Sequence, residues 1–255
     1  MLVVEENRSY DQVIGNPAAP YLNGLAAQYA LATNYFANAH FSIPNYFMLT
    51  TGQIETLNDN FAGTVTDNNL ARVLDAAGKT WKVYAEDLPS AGYLGGDTAG
   101  YVKRHNPFAF FSDVINSPQE AANIVPFTQF AADLSAGTLP NFSMIVPNLT
   151  DDGHDASLAT ADAWLQPSLA PLFASPQFQQ DGVLIVTFDE SEVTDLQMGG
   201  GHIATILAGP KVNSAFQSIT VYQHQSTLRL ILDLLGVSDR PGSAADAPSM
   251  SEFFQ

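Results

Sequence analysis

Two adjacent carboxylates, Asp189 and Glu190, follow directly on the apolar run Leu184-Ile185-Val186-Thr187-Phe188. Side by side, neither is comfortable as an anion unless a cation lies near. A third carboxylate, Glu6, ends the run that begins Leu2-Val3-Val4, and the amide of Asn7 comes next. A third apolar run closes at Val146-Pro147-Asn148 and leads into Asp151-Asp152-Gly153-His154-Asp155. The segment His40-Phe41-Ser42-Ile43-Pro44-Asn45-Tyr46 adds a hydroxyl. Pro44 suits the first turn of a helix, so Ser42 stands just ahead of one. Free N–H groups and the macrodipole at such a point stabilise an alkoxide or an arriving phosphate. The plainer reading of Ser42 is an N-cap.

Of the five histidines, His154 is the best placed for chemistry, between Asp152 and Asp155. His105 lies beside Lys103 and Arg104, among the few cations of the chain, where an anionic substrate would be welcome. His40 is near enough to orient Ser42. His202 follows Gly199-Gly200-Gly201 at the entrance of a strand, and His224 opens a helix; neither is assigned a role.

These groups need a scaffold that gathers them. Apolar, β-branched runs alternate with helical patterns, which predicts an α/β fold with a mainly parallel central sheet flanked by helices. The runs are Leu2–Val4, Trp81–Ala85, Phe142–Val146, Val183–Phe188 and His202–Ala208. The last three are nearly continuous, as strands buried on both faces should be. Helices are expected over Tyr21–Gln28, Asn68–Ala77, Pro126–Ala136, Ala159–Ala174 and Gln225–Leu235, the last capped by Gly236. Ligands of open α/β sheets bind beyond the carboxyl ends of the strands, where Glu6-Asn7, Asp151-Asp152-Gly153-His154 and Asp189-Glu190 fall. Residues 86–125 are irregular, rich in Gly, Pro and aromatics, and read as a cap or insertion over the site. Without repeats or low-complexity linkers, residues 1–255 read as one domain.

The chain of 255 residues has no cysteine, 9 basic and 26 acidic residues, and a formal charge of -17. Thiolate metal sites and disulfides are thereby excluded. A polyanion would be repelled, so nucleic acid is not an expected partner. A phosphate ester would need local cations to overturn the global sign, and a bound metal does this economically. No apolar run approaches the ~20 residues that span a bilayer. No signal peptide is visible, but a strand that starts at Leu2 implies a trimmed N-terminus, and the expected location of the full-length form is periplasmic or secreted.

Taken together, seven segments in order resemble the phosphoesterase family of acid phosphatases and bacterial phospholipases C. They are Glu6-Asn7-Arg8-Ser9-Tyr10-Asp11, Ser42-Ile43-Pro44-Asn45-Tyr46, Trp81-Lys82-Val83-Tyr84-Ala85-Glu86 and His105-Asn106-Pro107-Phe108, followed by three more. Those are Pro147-Asn148 with Asp152-Gly153-His154-Asp155, then Asp162-Ala163-Trp164-Leu165, then Asp189-Glu190-Ser191. The resemblance runs on to Met250–Phe254 and so covers nearly the whole chain. It implies an alkaline-phosphatase-like three-layer sandwich. It also implies that Glu6, Asp189 and Glu190 bind one divalent metal ion together with Ser42, the nucleophile. Asn7 then falls at the amide that holds a phosphoryl oxygen, and His105 and His154 at imidazoles that contact the phosphoryl group or the leaving oxygen. Two departures stand out: Glu190 replaces a frequent aspartate, and the first strand is short.

The expected activity is metal-dependent hydrolysis of phosphate monoesters through a phosphoserine intermediate, with a histidine protonating the leaving group and so favouring acid pH. A carboxylate-rich site favours calcium, magnesium or manganese, and nearby histidines admit zinc or iron. Cleavage of phosphodiesters or phospholipids by the same core is the alternative, with Phe108, Phe110 and Phe111 either forming a lipid rim or packing the core. Two other classes are a non-catalytic metal-binding surface protein and a serine esterase; the second is disfavoured by the lack of a Gly-x-Ser-x-Gly elbow.

Overall fold

The computed structural model describes residues 1–255. Its strands are β1 (Leu2–Glu5), β2 (Ala30–Phe36), β3 (Trp81–Ala85), β4 (Ile124–Pro126), β5 (Phe142–Val146), β6 (Leu184–Phe188), β7 (His202–Ala208), β8 (Phe216–Ser218) and β9 (Tyr222–Gln223). They form one sheet in the order β4-β3-β5-β1-β6-β7-β2-β8, with β9 also paired to β2. All pairings are parallel except those of β7, which runs against both β6 and β2. Every residue of β1, β5 and β6 is buried, which is why these strands read as unbroken apolar runs. Helices flank the sheet. Ser42–Thr51 packs on His224–Leu234, and Pro20–Gln28 packs on Leu158–Ala174.

The five strands expected from apolar runs are present within a residue at their ends. Four others escape that reading for physical reasons. In β2, Ala-Leu-Ala-Thr-Asn-Tyr-Phe carries little β-branched character and two polar residues, and its strand form rests on pairing with β7, β8 and β9. β4, β8 and β9 have only two or three residues each. Pro126 ends β4, so the helix expected from Pro126 begins at Thr128 instead. Other helices match closely: Asn69 caps Leu70–Ala76 by accepting from the Arg72 N–H at 3.0 Å, and Gly236 is left-handed beyond the last helix.

Residues 86–125 contain two 3₁₀ turns, Lys103–His105 and Pro107–Phe110, and two single-turn helices, Ser112–Ile115 and Pro118–Ala121. Phe108, Phe110 and Phe111 are wholly buried in the main core, packed with Trp81, Phe47 and Phe142. They are core residues and form no lipid rim. The segment is therefore anchored by its aromatics and carries His105 inward between them. No helix is long and apolar enough to cross a membrane.

Candidate active site

The carboxyl ends of β1, β2, β5 and β6 open at one end of the sheet and deliver Glu6-Asn7, Ala37–Ser42, Asn148–Asp155 and Asp189-Glu190 there. Ser42 is the first residue of its helix. Its hydroxyl makes no capping bond; it donates to Glu6 Oε2 at 2.9 Å. One of the free N–H groups of this helix end, that of Ile43, is taken by Asp59 at 3.2 Å. Tyr46, one helical turn after Ser42 and on the same face, donates its O–H to Glu6 Oε1 at 2.8 Å. Glu6 and Ser42 both lie against the Asp189 carboxyl. Asn7 is left-handed, with φ 57°, a conformation that asparagine tolerates. In that pose its backbone N–H reaches Asp189 Oδ1 at 3.1 Å and its side-chain amide reaches Glu6 Oε2 at 3.3 Å.

Phe41, just before Ser42, has φ 73° and ψ 147°, a region that only glycine enters freely. Such a residue costs about 1–3 kcal/mol and persists only where its surroundings over-determine it. Here they do. The Phe41 N–H donates to Glu190 Oε2 at 3.1 Å, and the Phe41 carbonyl accepts from the Asn45 side chain at 3.0 Å. Asn45 also binds the N–H groups of Asn38 and Ala39, so the whole approach to Ser42 is fixed. Glu190 thus faces the segment ahead of Ser42, where the His40 ring shares the same oxygen.

His105 is fully buried and stacked on Tyr46, with ring centroids 5.1 Å apart. Its Nε2 lies 3.3 Å from Glu6 Oε1 and its Nδ1 3.2 Å from Asp152 Oδ2, without a straight hydrogen bond at either nitrogen. Asp152 is aimed inward by the turn at Gly153, whose φ of 85° requires glycine, and its Oδ1 accepts the His154 N–H at 2.7 Å. His154 itself is partly exposed, pairs with Asp155 at 2.7 Å, and lies 3.4 Å from Arg104. It stands at the mouth of the site, with its ring centroid 6.0 Å from that of His105.

Burial dominates the electrostatics. It pushes Glu6 well above the usual carboxylate range, helped by the neighbouring Asp189 and Asp152. It raises Asp189 and Asp152 to about 7 and, with Asp189 beside it, Glu190 to about 9. His105 is driven well below the usual imidazole range by burial and then by Arg104 and His154. Without a cation, burial favours the protonated carboxyls and the neutral imidazole. A divalent cation is the other way to relieve it, and the donor set fits one: Glu6, His105 and Asp152 offer ligand atoms all within 4.8 Å of one another, and Asp189 Oδ2 is buried without a partner. The other oxygen of the Glu6 carboxylate, Oε2, is the one that accepts from Ser42.

A consequence for stability follows from the sign of these shifts. A carboxyl group raised in the folded protein stabilises it below the unfolded value of about 4, and that contribution is lost as pH rises through about 7. The chelated protein should therefore melt at a lower temperature at pH 8 than at pH 5. Added divalent cation should restore most of the loss at pH 8. A melting temperature that stays flat or rises over that interval would show that the cluster is not a proton store.

Of the residues singled out in the sequence, the structure brings Ser42, Glu6, Asn7, Asp189 and His105 together, with His154 at the edge and Glu190 behind Phe41. Several contributors were harder to see. Asp152 was hidden beside Asp151, since the sequence does not say which of the two turns inward. Tyr46 was findable from its spacing of four after Ser42. His224 is buried, lowered to about 4 and hence neutral; its Nε2 binds the Asp189 carbonyl at 2.6 Å while Tyr35 O–H faces its Nδ1 at 3.3 Å, so it holds Asp189 from behind. His202 reaches the site end because β7 is antiparallel, but Tyr10 and Phe36 stack on its ring and the Thr33 carbonyl takes its Nε2.

With this geometry in view, likeness to known proteins becomes informative. The chain is 34% identical over 242 residues to a protein of Kluyveromyces lactis named "Probable acid phosphatase", covering 89% of this chain and 55% of that one. It is 33% identical over 258 residues to the phosphatidylinositol-3-phosphatase of Mycobacterium tuberculosis, covering all of this chain and 82% of that one. The chain therefore spans little more than half the length of the first relative and most of the second. Among solved structures, a protein in the alkaline phosphatase superfamily from Vibrio parahaemolyticus superimposes with a TM-score of 0.68 at 15% identity, covering 99% of this chain and 71% of the other. The fold is that of the alkaline phosphatase superfamily, and since residues 16–238 match the phosphoesterase family, the chain belongs to that family.

Proposed function

We propose that this chain hydrolyses phosphate monoesters through a phosphoserine intermediate on Ser42, with a divalent cation gathered at Glu6: Ser42, Asp189 and Glu190 are the partners expected to share it, and His105 and Asp152 are those whose ligand atoms lie within 4.8 Å of those of Glu6 and of one another. The observation that carries the reading is the Ser42 hydroxyl, fixed at a helix N-terminus 2.9 Å from a buried carboxylate that has Asp189 as its neighbour. When bound, the cation would lower the pKa of that hydroxyl and polarise a phosphoryl oxygen. The Ser42 proton passes along its hydrogen bond to Glu6 as the oxygen attacks in line. The Asn7 amide and the His105 ring, on either side of Glu6, are placed to meet equatorial phosphoryl oxygens as charge builds there. The displaced alkoxide leaves toward the mouth, where His154, held by Asp155, supplies its proton. Water then attacks the phosphoserine, giving a proton to His154, while the departing Ser42 oxygen takes its proton back from Glu6 and phosphate is released.

Monoesters are favoured over diesters by the enclosure of the site: Glu6, Ser42, His105 and Asp189 are all buried, and the aromatics once considered for a lipid rim lie in the core. The names of the two relatives, an acid phosphatase and a phosphatidylinositol-3-phosphatase, point the same way. An aryl phosphate monoester and the matching diester, each with and without chelator, test the reading. Expected is phosphate release from the monoester that chelator stops and divalent metal restores. Faster turnover of the diester would move the assignment to a phosphodiesterase. Metal binding with no turnover would leave a metal-binding protein, and chelator-insensitive cleavage of a carboxylic ester would leave an esterase.

A further inference from the structure

Three cations adjoin the site residues in the chain, and two of them are spent on the fold. The Arg8 guanidinium donates to the carbonyls of Asn7, Gly153 and Ala156, each at 2.9 Å. Lys103 Nζ donates to the Leu94 carbonyl at 3.0 Å and lies over the Phe110 ring, 4.6 Å from its centroid. Arg104 differs. Its Nε stands 3.8 Å from Asp59 Oδ2 and its Nη2 3.4 Å from His154 Nε2, and it has no other side-chain partner. Both distances are long for N–H donors, whose bonds fall at about 2.7–3.2 Å. A permanently charged group with five donors is thus held loosely, 20% exposed. Its neighbours fix where it is. Asp59 takes the Ile43 N–H, next to Ser42, and His154 stands at the mouth. The charge of Arg104 is felt by both His105 and Asp152.

The approach to His154 is the informative one. His154 Nδ1 is turned to Asp155 at 2.7 Å, so the proton for the leaving oxygen comes from Nε2. A nitrogen that carries that proton cannot also accept from Arg104, and the guanidinium must then find another acceptor. We infer that Arg104 is a substrate-binding residue that takes an anionic group on the leaving alcohol, so that the preferred substrates are phosphate monoesters with a carboxylate or second phosphate on the carbon next to the ester. The inference rests on the monoesterase reading above and adds the substrate class. In-line displacement sends the leaving group away from Ser42 and toward His154, and Nη2 adjoins the nitrogen that meets it. An oxygen hydrogen-bonded to that nitrogen lies within about 6 Å of the guanidinium, the span to an anion one carbon further on. The transferred phosphoryl group, by contrast, has Asn7 and His105 as its donors.

Two pairs of compounds isolate the effect. 2-Phosphoglycolate and phosphoglycolamide set a carboxylate against an amide of the same shape, and ethane-1,2-diol bisphosphate and its monophosphate set a phosphate against a hydroxyl. The anionic member of one pair at least should have a kcat/KM about tenfold higher, as a hydrogen bond to a charged group provides; the larger ratio names the anion. The net charge of -17 alone would put both ratios below one. Arg104→Met should bring the ratio to one or below, and Arg104→Lys should keep part of it. Asp59→Asn retains an oxygen for the Ile43 N–H while releasing the guanidinium, so it should raise the ratio, and nearly lose that effect when Arg104 is methionine. A guanidinium that only braced the fold would move the melting temperature and both members of a pair alike. Ratios near or below one in the unaltered protein, or a ratio that Arg104→Met leaves intact, overturn the inference while the phosphatase reading stands. So does an equal loss for both members, which would hand Arg104 to the transferred phosphoryl group or to the fold, and so does release from an aryl phosphate alone. No release from any of these compounds, the aryl phosphate included, would sink the monoesterase reading as well.

Discussion

Ser42→Ala will lower phosphate release from an aryl phosphate by about 10⁴-fold or more, which corresponds to about 5.5 kcal/mol of lost transition-state stabilisation. The size follows from the loss of the attacking atom itself. Alanine leaves water as the only nucleophile, and water has neither the helix N-terminus nor the Glu6 hydrogen bond to hold it in line. The fold should survive. The hydroxyl makes a single hydrogen bond, worth about 1 kcal/mol net, and Glu6 keeps Tyr46 and Asn7 as donors. Alanine is also a good residue for a first helical turn. Three measurements belong together: steady-state release, melting temperature, and acid-quenched transfer of labelled phosphate to the protein. The unaltered chain should trap label on Ser42 and the variant should trap none. Activity within tenfold of the original, with no labelled protein in either case, would hand the attack to a water molecule and remove Ser42 from the role assigned to it.

What the sequence made legible, and what it hid, divides along physical lines. β1, β5 and β6 are buried on both faces, so their apolar runs announce them and the carboxylates at their ends stand out against that background. Glu6 and Asp189 were visible for that reason, and so was the pair Asp151-Asp152, though not which of the two turns inward. β2 was not, yet it is the strand whose end carries Ser42 into the site. Its stability comes from three neighbouring strands distant in sequence, and no local pattern reports such pairing. The single reversed strand, β7, had the same effect on His202: reading its glycine-rich approach as the far end of a parallel strand would send it away from the site, whereas reversal brings it near. Motif resemblance supplied Ser42, Asn7 and His105 where periodicity could not. It did not supply the residues that hold them, such as His224 behind Asp189 or Asn45 beneath Phe41, because their work lies in contacts with backbone groups, which any of several side chains could perform elsewhere.

Glu6→Gln separates catalysis from stability, and the two should move in opposite directions. In the chelated protein at pH 8, Glu6 is a fully buried acid with Asp189 and Asp152 as like-charged neighbours, and folding opposes its ionisation. Glutamine removes that conflict at nearly constant volume, so the chelated variant should melt at a higher temperature than the parent at pH 8. The gain should shrink toward pH 4, below which the parent carboxyl is protonated in both folded and unfolded chains and the two proteins differ little. Activity should fall by about 10³-fold, in the range seen when one oriented charge is removed from a transition-state site. The amide cannot accept from both Ser42 and Tyr46, since only one of its two terminal atoms is an oxygen, so the nucleophile also loses its fixed orientation. The decisive readout is the rise in melting temperature produced by a divalent cation at pH 8. A carboxylate that only braced Ser42 and Tyr46 would leave this rise unchanged and would lower the baseline stability when replaced. A carboxylate that holds the ion gives the reverse, a raised baseline and a diminished response, and the buried, mutually repelling acids around Ser42 require that second pattern if they exist to gather a cation.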